Sequence, residues 1–228
     1  MRIIVNHLTR MQPGYICVAG INVQTYAHVR PVLSGRLTVN LLASHGGVFS
    51  LGTIVDLGHV TRCGSAPEVE DHRFHANNAK VHREMTPKEF WDAVDFVAVD
   101  SLKKGLGPDL HAQGRTCAVD EGLGSASLAC VRAQGVNLFW RDGVLRAHVR
   151  DGEFHCQPPV TDIRFFEADH KTVKWAFVNQ VNLRLQQGVR AVLAMGLSRA
   201  WMKEGDSAAR HWLQVNNLHL EDDPLWQT

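Results

Sequence analysis

The apolar positions of the first eighty residues fall in short runs rather than in helical stripes. Arg2 to His7, Tyr15 to Asn22, Ala27 to Leu33 and Gly52 to Val60 are each rich in Val, Ile and Leu. Turn formers separate them, as at Pro13-Gly14, Ser34-Gly35 and Gly46-Gly47. Runs of that length, bounded that way, predict strands. The pattern then changes. Thr86-Pro87-Lys88-Glu89 has the form of a capping box with proline at the first helical position, and Met85 and Phe90 are spaced to staple it. A helix over about 87–95 is predicted there. From Lys103 to about Gly124 the chain is rich in Gly and charge, and reads as a loop and a domain boundary.

The second half repeats the strand pattern more cleanly. Ser127 to Arg132, Val136 to Trp140, Val144 to Val149 and Val160 to Phe166 read as strands, with hairpin signals at Asp142-Gly143 and Asp151-Gly152. From Thr172 to Gln187 the period becomes helical: Val173, Phe177, Val178, Val181 and Leu185 share a face, and Gly188 is a natural stop. Val189 to Leu197 and His211 to Leu220 return to strand. The expected fold is therefore mainly β with two short helices, an α+β protein. Strands, one helix and two closing strands are the order of an OB-type barrel. Two OB-like β-barrel halves in tandem, residues 1–110 and 111–228, are the leading architecture. One irregular α+β domain is the alternative.

Composition narrows the class. With 45% hydrophobic and 21% charged residues the chain can bury a core, so disorder is excluded. A net charge of +1 argues against a strong non-specific polyanion binder, though a local basic groove is compatible with it. The opening Met1-Arg2-Ile3-Ile4-Val5-Asn6-His7 does not read as a signal peptide, and no stretch approaches the length of a membrane span. Cys17, Cys63, Cys117, Cys130 and Cys156 are odd in number and form no Cys-x-x-Cys. They read as reduced thiols in a cytoplasmic protein.

Several segments carry a family resemblance. Gly14-Tyr15-Ile16-Cys17-Val18-Ala19-Gly20-Ile21-Asn22 with His28-Val29-Arg30-Pro31-Val32 resembles the opening of the dual OB-containing domain family. Gly47-Val48-Phe49-Ser50-Leu51-Gly52 and Pro67-Glu68-Val69-Glu70-Asp71 are similar to its next block. Met195-Gly196-Leu197-Ser198-Arg199 and His211-Trp212-Leu213-Gln214-Val215-Asn216 resemble its closing strands, with Ser198 and Ala200 departing from the pattern around Arg199. The resemblance implies two OB-like barrels, and a bacterial protein of mobile or anti-phage context with a nucleic-acid-binding role. It implies no catalytic residue.

The candidate binding residues are Arg30 and Arg199, with Tyr26 and Trp201 beside them and His28 on the same run as Arg30. A guanidinium pairs with phosphate in bidentate fashion and an exposed ring stacks a base. The competing reading has each arginine tying down a local loop. His59, His72, His75 and His82, with Cys63 between, match no standard metal spacing, so no metal site is expected. Glu68-Val69-Glu70-Asp71 offers carboxylates for Mg²⁺, against the simpler reading of a solvated acidic turn. No phosphate-binding loop and no Gly-x-Ser-x-Gly elbow is present. The expectation is a non-catalytic module, without cofactor, that binds single-stranded DNA or RNA or a nucleotide within a larger assembly of the anti-phage or CRISPR type. A protein–protein adaptor is one alternative. A metal-dependent hydrolase or nuclease using the His72 to His82 region is the other.

Overall fold

A computed structural model describes residues 1–132 and 134–226. In the first half, β1 (Arg2–Arg10), β2 (Tyr15–Asn22), β3 (His28–Val32), β4 (Leu37–Thr38), β5 (Thr53–Asp56), β6 (Thr61–Arg62), β7 (Asp71–Arg73) and β8 (Lys80–Glu84) build one sheet. Its order is β6-β7-β3-β2-β1-β5-β8, with β4 also paired to β2. Helix α1 (Pro87–Val97) and the short α2 (Leu102–Leu106) follow. The second half holds β9 (His111–Gln113), β10 (Thr116–Asp120), β11 (Leu128–Arg132), β12 (Gly135–Arg141), β13 (Val144–Arg150), β14 (His155–Cys156), helix α3 (Trp175–Gln186), β15 (Ala191–Leu197) and β16 (Arg210–Leu220). These form a sheet of order β11-β15-β16-β10-β9 and a three-stranded sheet β12-β13-β14. The protein is mostly β, and no closed barrel forms among the described residues. No helix among them is long and apolar enough to cross a membrane.

Local chemistry explains the elements that follow the sequence. Thr86 accepts from the Glu89 amide and the Glu89 carboxylate accepts from the Thr86 amide, closing the capping box. Phe90 is buried, with Met85 packed in the same cluster, as a staple requires. At the β12–β13 hairpin Asp142 and Gly143 both take positive φ, 51° and 74°, which is the turn that twists with its strands. Helix α3 buries Val178 and Val181 and stops at Gln186, two residues before Gly188, whose φ is 86°.

Three expectations are corrected. Residues 103–124 are not a loop: they supply α2 and the β9–β10 hairpin, and β10 is buried and paired to β16. Val160 to Phe166 is not a strand. The Asp162 side chain, fully buried, accepts from the Arg164 amide and turns Ile163–Phe165 into a 3-10 helix. Glu68 to Asp71 is not a solvated turn, because all three of its carboxylates are buried.

Two core clusters fill the halves, one built around Ile3, Val18 and Phe49, the other around Leu145, Phe165 and Leu213. A third joins them: Ile4, Ile21 and Ile54 of the first sheet pack with Phe90 and Val94 of α1 and with Cys130 and Val192 of the second sheet. Burial of each large side chain of this kind contributes on the order of 1.5–3 kcal/mol.

The seam between the sheets depends on two bulges. In β1 the pairing shifts between Val5 and His7. Val5 and Leu8, three residues apart, therefore enter the same core, which plain alternation forbids. The residues between them, Asn6 and His7, turn to the opposite face. In β16 the pairing jumps from Asn217 to Val215, Val215 and Leu218 share a core, and Asn216 and Asn217 are turned out in the same way. The two bulges meet. Asn217 Oδ1 accepts from the Leu8 amide at 2.6 Å, His219 Nε2 lies 2.9 Å from the Asn6 carbonyl, and Asn216 Nδ2 lies 3.2 Å from His7 Nδ1.

Candidate basic–aromatic cleft

The expected site residues separate into distinct environments. Arg30, in β3, sits in parallel register with Asp71 of β7. Its Nε donates to Asp71 Oδ1 at 2.5 Å, and both side chains are about 7% exposed. Arg199 reaches the same carboxylate from the other half, donating from Nη2 to Oδ2 at 2.5 Å. The two arginines thus converge, but on a carboxylate. Arg199 also lies 3.3 Å from Glu68, which His211 approaches at 3.3 Å as well. Glu70 points the other way and accepts from the Ser127 amide, the Ser127 hydroxyl and the Leu128 amide at the start of β11. The acidic turn is a staple between the halves. Arg30 is sealed inside it and offers no face to an external phosphate, whereas the Arg199 side chain remains 60% exposed.

Tyr26 lies apart from this network. The Asn22 side chain accepts from the Gln24 and Thr25 amides and folds the turn, leaving Tyr26 at a φ of 58°. Its ring packs on Phe96 of α1, at 4.8 Å between centroids, with both rings exposed. His28 turns inward and meets the His7 ring edge-on at 5.8 Å. The loop histidines do not converge as a ligand set among the described residues: His59 and His75 are exposed, His72 Nδ1 lies 2.8 Å from the Glu70 carbonyl, and His82 faces Arg2.

Trp201 belongs to a different constellation, which the sequence did not reveal. It is 49% exposed, and its backbone pairs with Arg210 at the start of β16. That pairing sets its ring 6.1 Å from the buried Trp212, whose indole N–H donates to the Trp201 carbonyl. The Lys203 ammonium lies 3.1 Å from the centre of the Trp212 ring. Partial burial lowers its pKa first, and Asp206 opposes that shift. Beside it opens a cleft of about 310 Å³. Arg115, Arg146 and Lys203 line it together with Trp212, against the two acids Asp142 and Asp206. Arg146 is anchored by the Gln157 carbonyl at 2.9 Å, and Arg115 touches Asp142 only at 3.9 Å in an exposed pair. Three cations around an aromatic floor are what a phosphate-bearing ring system requires.

A second cleft, of about 270 Å³, lies between α1 and β15, but its cations are engaged. Arg132 is held by Asp95 and the Ala98 carbonyl, and Arg190 by Glu221. That engagement decides for the first cleft as the candidate site. No family model, curated protein or solved structure matches this chain. What the fold and site define is a class only: a mostly β protein bearing a basic cleft floored by tryptophan.

Proposed function

We propose that this protein is a non-catalytic module that binds nucleic acid or a nucleotide, and that the Trp201–Lys203–Trp212 cleft is where it does so. The observation that carries the reading is the exposed Trp201, 6.1 Å from Trp212 and 5.9 Å from the Lys203 ammonium, next to a cleft that Arg115, Arg146 and Lys203 line. Stacking on Trp201 holds a base, and Arg115, Arg146 and Lys203 take phosphate oxygens. With a chain charge of +1, stacking and local geometry contribute more than long-range attraction. On this reading the two halves are diverged, opened OB-like units, each with one long bulged strand, working inside a larger cytoplasmic assembly.

The test is a fluorescence titration with short single-stranded DNA, single-stranded RNA, duplexes and nucleotides. Trp201→Ala removes a stacking platform and weakens binding by about 5- to 150-fold, the range set by ~1–3 kcal/mol per stacked base. Arg115→Ala reduces the salt dependence by about one counterion and weakens all sequences alike. A parent protein that binds none of these at micromolar concentration ends the proposal.

A second reading, a protein–protein adaptor, rests on the exposed aromatic pairs Tyr26–Phe96 and Trp140–Trp175. Such pairs are usual anchors of protein interfaces. It is favoured if the oligonucleotide titration is flat and the double variant Tyr26→Ser/Phe96→Ser loses a binding partner without losing its fold.

A further inference from the structure

Where the two bulges meet, the structure leaves polar atoms that its own hydrogen bonds do not satisfy. His7 is 1% exposed and its Nε2 has no partner. His28 is half-buried as a residue, yet its Nδ1 is sealed and partnerless. Asn6 Oδ1 and Asn217 Nδ2 are in the same state. A buried polar group without a partner is costly, so four such atoms at one seam call for an occupant. Among them stands Cys130 of β11. One donor atom from each of His7, His28 and Cys130 lies within 4.8 Å of the others.

The placement follows from the strands. His7 pairs with Ala19 and His28 with Ile21, positions two apart on β2, so the rings flank that strand on one face. The bulge in β1 is what brings His7 to that face. Cys130 closes the site from the second sheet, and Asn6 Nδ2 lies 3.2 Å from its sulfur.

We propose that His7, His28 and Cys130 bind a single thiophilic d-block ion of the Zn²⁺ class at the seam between the two sheets. Two imidazole nitrogens and one sulfur are a donor set that such an ion selects over Mg²⁺ or Ca²⁺, which take oxygen. Bonds of about 2.0–2.3 Å draw the three donors closer by a small rotamer adjustment and leave a fourth position for water or for the partnerless Asn6 Oδ1. His7 Nε2 and His28 Nδ1 have no hydrogen-bond partner, so each is open to take an ion. Binding releases the Cys130 thiol proton to solvent, and the sulfur lone pair goes to the ion. Asn216, beside His7 Nδ1, is the positioning residue that orients that ring. Arg30, the cation nearby, is already neutralised by Asp71, so the ion meets no unpaired positive charge.

The competing occupant is a buried water, which satisfies the same orphaned atoms. The full chain, stripped with a chelator, is titrated with Zn²⁺ against a chromogenic competitor and with Co²⁺ followed by absorption. The expected result is one equivalent per chain and a thiolate-to-Co²⁺ charge-transfer band. Cys130→Ser abolishes the band, and Asn216→Ala weakens Zn²⁺ binding by about 10- to 100-fold. The triple variant His72→Ala/His75→Ala/His82→Ala retains both stoichiometry and band. A folded parent that binds no stoichiometric Zn²⁺ and shows no charge-transfer band overturns the site. So does a band that survives in Cys130→Ser or disappears in the surface triple variant.

Discussion

Replacing Asp71 by alanine tests the charge network on which the two halves converge. The carboxylate is 5% exposed and accepts from Arg30 and Arg199, each at 2.5 Å. The two contacts do not weigh equally. The Arg199 side chain is 60% exposed, so its share is screened and amounts to under about 1 kcal/mol. Arg30 is 6% exposed, and its Nη2 already lacks a partner. Removing Asp71 leaves that guanidinium buried and uncompensated, at a cost of about 3–5 kcal/mol. For a chain of this size 1 kcal/mol moves the melting temperature by roughly 2–4 °C, so Asp71→Ala melts about 6–20 °C early. Arg199→Ala moves it by only about 0–4 °C on the same scale. The apolar double replacement Arg30→Met/Asp71→Leu recovers most of the loss, since neither charge is then stranded. Differential scanning calorimetry of the four chains reads all of this. If Asp71→Ala melts within about 2 °C of the parent, or the double variant melts no higher than the single one, the argument from burial fails. The same geometry separates the two arginines functionally, because Arg30→Ala acts through stability and only Arg199 remains open to a ligand.

Three further outcomes follow from the contacts. Thr86→Ala costs about 0.5–2 kcal/mol in reversible denaturation, since it removes the cap of α1; a change indistinguishable from zero contradicts the capping box. Glu89 is held down to about 2 by Arg83 first and then by Thr86. Because its folded value lies below the usual carboxylate range, its contribution is present above about pH 4.5 and is lost as pH falls towards about 2, and an NMR titration finding an ordinary carboxylate value refutes it. Glu70→Ala strands the Ser127 and Leu128 amides and lowers stability by about 2–4 kcal/mol, whereas Glu70→Gln, which keeps one acceptor, recovers more than half of that in the same melts.

What was legible in the sequence is local. The capping box, the Asp142-Gly143 turn and the apolar face of α3 each depend on residues within about one turn of one another, so their spacing predicted them and the structure places them there, except that Val173 precedes α3 and is bridged to Phe166. Most strands were legible because alternation and bounding turns are local too, and Tyr15–Asn22 is found with the limits expected. The β9–β10 hairpin was missed because Gly and charge mask short strands that tertiary pairing with β16 completes. The 3-10 turn at Ile163–Phe165 was missed because its apolar residues read as β until the buried Asp162 competes for the backbone.

The candidate sites lay further out of reach. Arg30 and Asp71 are 41 residues apart, and Asp71 and Arg199 are 128 apart. Nothing in the run Glu68 to Asp71 distinguishes carboxylates that staple two sheets from carboxylates in water. Trp201 and Trp212 look alike in the sequence, and only packing leaves one half-exposed and buries the other. By itself the sequence determined where the chain extends, where it turns and where its helices are capped, since those preferences are settled over a few residues. The tertiary structure alone decided which face each bulged strand presents. One extra residue in β1 and one in β16 invert the alternation beyond them, so that His7 joins Asn6, and Asn217 joins Asn216, on the side away from the cores and in a shared seam.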